Sequence, residues 1–171
     1  MSQASMRTRA GSDLFATSVP IPLAALAGRI LLSAIFIIAG ITKFADWQTT
    51  AHYMESHHIP LIPLLLPAAA LVELCCGFSL LLGLGSRWMA LALFLFLTPV
   101  TLIFHDFWAY TGIEQQHQLQ NFFKNFAIMG GLALIVGLGP GPASLDHWLS
   151  RRQASRRRLI GRENLRAPSS L

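Results

Sequence analysis

The chain has 171 residues, of which 53% are hydrophobic and 12% charged, and its 13 Lys and Arg outnumber its 8 Asp and Glu. Soluble domains carry about 25% charge, so the composition excludes a normally solvated globule, and the abundance of Phe and Leu excludes a disordered chain. Cys75 and Cys76 are adjacent and build no disulfide framework.

A bilayer-crossing helix needs about 20 mainly apolar residues, and four stretches meet that need. The first, about 22–44, carries Arg29 inside it and Lys43 near its end. Its length and internal arginine distinguish it from a cleaved signal peptide. The second, about 60–85, carries only Glu73, and Pro60, Pro63 and Pro67 offer three different first turns. The third, about 88–104, is uncharged and holds Pro99, which frees a carbonyl four residues back and predicts a kink. The fourth, about 122–138, has Lys124 near its start and is ended by the GPGP run at 139–142, which cannot continue the helical ladder. The expected fold is all-α: an integral-membrane four-helix bundle over 22–138, between an N-terminal tail (1–21) and a basic, flexible C-terminal tail (139–171).

Lys and Arg of short flanking segments stay on the cytoplasmic side of a membrane. Arg7 and Arg9 precede the first span, Arg87 separates the second from the third, and Arg151, Arg152, Arg156, Arg157, Arg158, Arg162 and Arg166 follow the fourth. The stretches 45–59 and 105–121 hold Asp46, Glu55, Asp106 and Glu114 and no Lys or Arg. Both termini are therefore expected in the cytoplasm. Beside a lipid bilayer the arginine-rich tail reads as orientation and anionic-lipid attraction, and no nucleic-acid partner is expected.

Ionisable residues inside the spans are costly and are the functional candidates. Arg29 and Lys43 are separated by about 21 Å of helical rise, so they cannot share one small site. A second helix starting near Pro63 brings Glu73 to Arg29; a start at Pro67 brings it to Lys43. Arg29 is the preferred structural partner of Glu73, because Lys43 can snorkel to the interface and the short glutamate stem cannot. The outer helix ends collect Lys43, His105, Lys124 and Asn125, with Asp106 and Asn121 beside them. These groups suit an anionic or carbonyl-bearing ligand such as a quinone head group, with nearby aromatics against its ring. Glu73 and His105 are the candidates for proton handling. His52, His57 and His58 share a loop without metal-ligand spacing, and no metal site is expected. Motifs for nucleotide binding, a catalytic triad or zinc hydrolysis are absent.

The segments GRILLSAIFIIAGITKF, LVELCCGFSLLLGLGSR, FHDFW and NFFKNFAIMGGLAL resemble the four-helix DoxX-like membrane proteins of bacteria, over about Gly28 to Leu138. The shared pattern is Arg then Gly-x-x-Lys on the first helix, Glu on the second, and Lys-Asn followed by Gly-Gly on the fourth. The resemblance thus carries over Arg29, Lys43, Glu73, Lys124 and Asn125, and His105 less directly. It implies a multi-pass protein of the bacterial inner membrane. Some members look like membrane subunits of thiosulfate:quinone oxidoreductases, which implies a redox-associated subunit rather than a complete enzyme. The expected function is such a subunit, with quinone as cofactor near the outer leaflet and, as partners, a soluble redox protein and further copies of the chain. Two alternatives stand beside it: a non-catalytic scaffold that recruits a partner through its tail, and small-solute transport by an oligomer.

Overall fold

Among the described residues, four helices are long and apolar enough to cross a bilayer: Pro22–Ala45, Ile62–Leu82, Ser86–Ala109 and Gly112–Leu138. They belong to a computed structural model that describes residues 21–166. In chain order the elements are α1 (Ile21–Ala45), α2 (Trp47–Ser56), α3 (Ile62–Leu82), α4 (Ser86–Phe104), a 3-10 turn (Phe107–Ala109), α5 (Gly112–Leu138) and α6 (Leu145–Arg166). The N-terminal tail with Arg7 and Arg9 lies outside the described residues.

The bundle is built from two tight pairs, α1 on α3 and α4 on α5, joined through α3 and α4, while α1 and α5 touch sparsely. The seam between the pairs is filled by Phe36, Leu80, Leu93, Leu97, Ile128 and Leu132. Leu31, Ile41, Leu71, Leu95 and Leu102 point outward, as lipid-facing positions must when the surrounding solvent is hydrocarbon. Small residues let α1 and α3 approach closely: a Cβ at Gly40 would stand 2.7 Å from Leu74 Cγ and 3.0 Å from the Ala70 carbonyl.

Two boundaries differ from the sequence expectation. The fourth span begins at Gly112, ten residues before the expected 122, because Ile113 to Gln120 is polar yet rich in the helix formers Glu, Gln and Leu. Hydropathy finds the apolar part of a helix, and about 15 Å of this one extends beyond it. The second difference is the tail: the segment expected to be flexible forms α6 from Leu145. Its start is tied to the bundle. Asp146 N–H donates to the Gly83 carbonyl at 2.9 Å, and its carboxylate accepts from the N–H groups of Gly85 (2.8 Å) and Ser86 (3.1 Å). That places a negative charge at the N-terminus of α4, where the free amides and the helix dipole favour it. Ser144 Oγ caps α6 itself by accepting from His147 N–H at 3.2 Å. Gly83 makes the junction possible: it is left-handed (φ +72°), and a Cβ there would stand 2.8 Å from Arg29 Nη1.

Candidate functional site

The intramembrane charges are positioned by antiparallel helices. Cα–Cβ bonds lean toward the N-terminus of their own helix, so Lys43 on α1 leans down into the bundle and Glu73 on the antiparallel α3 leans up toward it. They meet: Lys43 Nζ donates to Glu73 Oε1 at 2.9 Å and to Oε2 at 2.7 Å. The carboxylate side chain is 7% exposed and the lysine 24%.

The expected Arg29–Glu73 pair is not formed. Arg29 leans, like Lys43, toward the N-terminus of α1, and from its lower position that is away from Glu73 and toward the α6 end, where Nη1 donates to the Pro140 carbonyl (2.8 Å) and Nη2 to the Ala143 carbonyl (2.6 Å). It staples the α5–α6 loop to α1. The start of α3 at Ile62, with Pro63 in its first turn, was expected to bring Glu73 to Arg29; side-chain lean, not the start residue, decides the partner.

His105 caps the C-terminal end of α4, with its N–H on the Thr101 carbonyl at 3.1 Å. Its Nδ1 lies 2.9 Å from Gln118 Oε1, and Gln118 Nε2 donates to Glu114 Oε1 at 2.8 Å. A carboxylate only accepts, so the amide nitrogen must face Glu114 and the amide oxygen must face His105. His105 therefore carries its proton on Nδ1, and in the neutral ring Nε2 is the acceptor. One helical turn and more into the bundle, Asn125 Nδ2 donates to Thr101 Oγ1 at 3.1 Å, joining α5 to α4. Lys124 is exposed and donates to Asn121 Oδ1 at 2.8 Å.

These residues share one cavity of ≈ 510 Å³, whose wall contains Lys43, Glu73, His105, Lys124 and Asn125 among Ile38, Leu97, Val100 and Ile128. A few convergent polar groups in an aliphatic cavity of this size is the usual form of a small-molecule site. An adjoining space of ≈ 210 Å³ shares Lys43, Glu73 and His105 and is covered by Tyr53, Met54 and Phe104. The Tyr53 ring stacks on Phe104 at 5.5 Å, and its hydroxyl donates to the Phe104 carbonyl at 3.0 Å. Burial pushes the Tyr53 phenol above its ordinary range.

Residues 24–106 match the DoxX family. The chain is 34% identical over 127 residues to the inner membrane protein YqjF of Escherichia coli, covering 74% of this chain and 92% of that protein. The chain belongs to the DoxX family. It is also 32% identical over 125 residues to the inner membrane protein YphA of Escherichia coli, covering 73% of this chain and 89% of that one. A Surfeit locus protein 4 homolog of Drosophila melanogaster is 28% identical over 123 residues, which are 71% of this DoxX chain and 39% of the fly protein. No solved structure matches.

Of the sequence-predicted residues in this DoxX protein, five line the cavity, Asp106 and Asn121 lie outside its wall, and Arg29 stands at the other end of the bundle. Sequence reasoning missed Gln118 and Glu114. Their signal was present: Glu114, Gln118, Asn121 and Asn125 recur at spacings of four, three and four, one polar stripe of a helix. It continues into the buried stripe Ile128, Leu132 and Ile135, so the polar face leads directly into the core.

Proposed function

We propose that this DoxX inner-membrane protein has both chain ends in the cytoplasm. It binds a quinone head group, near the outer leaflet, as the membrane subunit of a redox system. One observation carries the reading: Lys43, Glu73, His105, Lys124 and Asn125, from α1, α3, α4 and α5, line a single aliphatic cavity. The size and chemistry fit a substituted quinone ring, whose two carbonyls need donors and whose reduced form needs acceptors. When bound, a quinone supplies two-electron, two-proton redox chemistry, with electrons delivered by a partner redox protein.

The chain's own residues hold and orient the head group. Lys124 supplies a cation, and Asn125, its amide nitrogen committed to Thr101, presents its oxygen. The Glu114–Gln118 chain fixes His105 Nε2 as the acceptor for a hydroxyl proton. The Lys43–Glu73 pair provides a carboxylate and an ammonium whose charges balance without a ligand, so an uncharged ring enters without stranding either.

The test is the quinone content of the full chain purified in mild detergent, measured by organic extraction, for wild type, Lys124→Ala and Glu73→Gln. Near-stoichiometric quinone in wild type, lost in folded variants, is the expected result. A folded wild-type bundle with no quinone overturns the reading.

A second reading, a scaffold that recruits a cytoplasmic partner, is favoured by α6. This helix makes few contacts with the bundle, and Arg151, Arg152 and Arg156 are exposed along it. Truncation after Ser150 then abolishes partner co-purification while the bundle melts as before; unchanged co-purification refutes it.

A further inference from the structure

At the end of the bundle opposite the Lys43–Glu73 pair, a second cleft of ≈ 480 Å³ lies between α1, α5 and the α5–α6 loop. Its walls are hydrocarbon, with Ala24, Leu32, Leu134 and Leu138 among them. Gly28 lines it too, and a Cβ added there would meet nothing within 4 Å. No protein neighbour requires a glycine at that position, so its missing side chain leaves room in the cleft rather than permitting a close helix contact.

The same cleft contains Arg29, which is 3% exposed. Its guanidinium has five N–H donors, of which two are used on backbone carbonyls, and its Nε is buried without a partner. Among the described residues no carboxylate lies within ion-pair distance of it. Asp146 acts on it through space, yet both Asp146 oxygens accept from Gly85 and Ser86 N–H groups. A buried cation without a counter-ion is costly. A second arginine stands at the rim: Arg87 is exposed, and its guanidinium lies 3.4 Å from where a Cβ of Gly139, a cleft residue, would be.

Hydrocarbon walls with one guanidinium in the cleft and a second beside its rim match an amphiphile with an anionic head. Guanidinium is the side chain best suited to phosphate oxygens. We propose that this cleft binds an anionic phospholipid, its acyl chain between α1 and α5 and its phosphate at Arg29 and Arg87. The lipid would supply a negative charge in contact with Arg29, which Asp146, beyond ion-pair distance, does not. This site is separate from the quinone cavity, and neither assignment depends on the other.

The experiment uses the full chain purified in mild detergent, incubated with labelled phosphatidylglycerol or phosphatidylcholine and freed of unbound lipid by gel filtration. Wild type is expected to retain about one phosphatidylglycerol per chain and little phosphatidylcholine. Gly28→Leu, which fills the cleft from a position with open space, abolishes retention while the thermal melt stays in place. Arg87→Ala, at an exposed position, weakens retention about fivefold, the factor for one basic side chain at an anionic surface. Equal retention of the two lipids, or undiminished retention in both variants, overturns the proposal. Complete displacement of the lipid by inorganic phosphate also overturns it, by showing an anion site with no use for the acyl chain.

Discussion

The partner of Glu73 is decided by a double-mutant cycle, because the structure makes the cost of each deletion unequal. Lys43 Nζ stands 2.9 and 2.7 Å from the two carboxylate oxygens, so the pair is a close, charge-assisted contact. Removing one member of a buried pair costs about 3–5 kcal/mol, because the other charge is left in a medium that cannot solvate it. Lys43→Met incurs that full cost, since the Glu73 side chain is 7% exposed and its short stem reaches no water. Glu73→Leu costs less, about 1–2 kcal/mol, because the 24% exposed lysine can snorkel toward the interface. The double variant replaces both charges by hydrocarbon and returns to within about 1 kcal/mol of wild type. At roughly 2–4 °C per kcal/mol for a chain of this size, Lys43→Met lowers the melting temperature by about 6–20 °C and Glu73→Leu restores most of it. The assay is thermal unfolding in one detergent, followed by circular dichroism. A matching cycle with Arg29→Met and Glu73→Leu adds within about 0.5 kcal/mol, since the two sites share no partner. Additive losses for Lys43 and Glu73, or strong coupling between Arg29 and Glu73, would refute the assignment.

The remaining predictions follow from single contacts. Gln118→Leu removes the acceptor that holds the His105 tautomer and weakens quinone retention up to about tenfold, the value of one hydrogen bond; an unchanged content refutes the positioning role. Gly40→Ala places a Cβ 2.7 Å from Leu74 and 3.0 Å from the Ala70 carbonyl, and destabilises by about 1–3 kcal/mol. Gly130→Ala meets nothing within 4 Å and is neutral or stabilising by up to about 1 kcal/mol; melts of the two variants check the contrast. Asp146→Ala strips the acceptor from Gly85 and Ser86 N–H and costs about 1–2 kcal/mol, read in the same melt. Tyr53 is held above its ordinary pKa chiefly by burial. The unfolded chain therefore loses this proton first: the tyrosine's contribution is intact below the ordinary tyrosine pKa and falls as pH rises through the folded value, and Tyr53→Phe removes that part of the alkaline loss.

What the amino-acid sequence disclosed, and what it hid, divides along the range of the forces involved. The spans were legible because burial in hydrocarbon is a sum over about 20 residues, and a sum survives local irregularity. The cavity residues were legible one by one, since a lysine, a glutamate or an asparagine within a span is conspicuous. Pairing was not legible, because it depends on the direction in which each side chain leaves its helix. Arg29 and Lys43 flank Glu73 in depth, and a count of residues along α1 cannot distinguish them. The lean of Cα–Cβ bonds toward the helix N-terminus can: on antiparallel helices it turns Lys43 and Glu73 toward each other and Arg29 away.

The same rule gives the two ends of the bundle their different chemistry. At the α2 end the inward-leaning lysine finds an acid within the bundle, and the pair closes on itself, so that the buried charges of that cavity balance without help while its further cation, Lys124, is exposed. At the α6 end the arginine finds carbonyls, which satisfy hydrogen bonds and leave it without an ion pair, Asp146 acting on it only from a distance. A cavity whose buried charges are paired suits the proposed uncharged, polar ring; a cleft whose buried cation is unpaired suits the proposed anion carrying a hydrocarbon chain. The two proposed sites thus differ in electrostatic demand according to where each cation sits on α1, near its last turn or near its third.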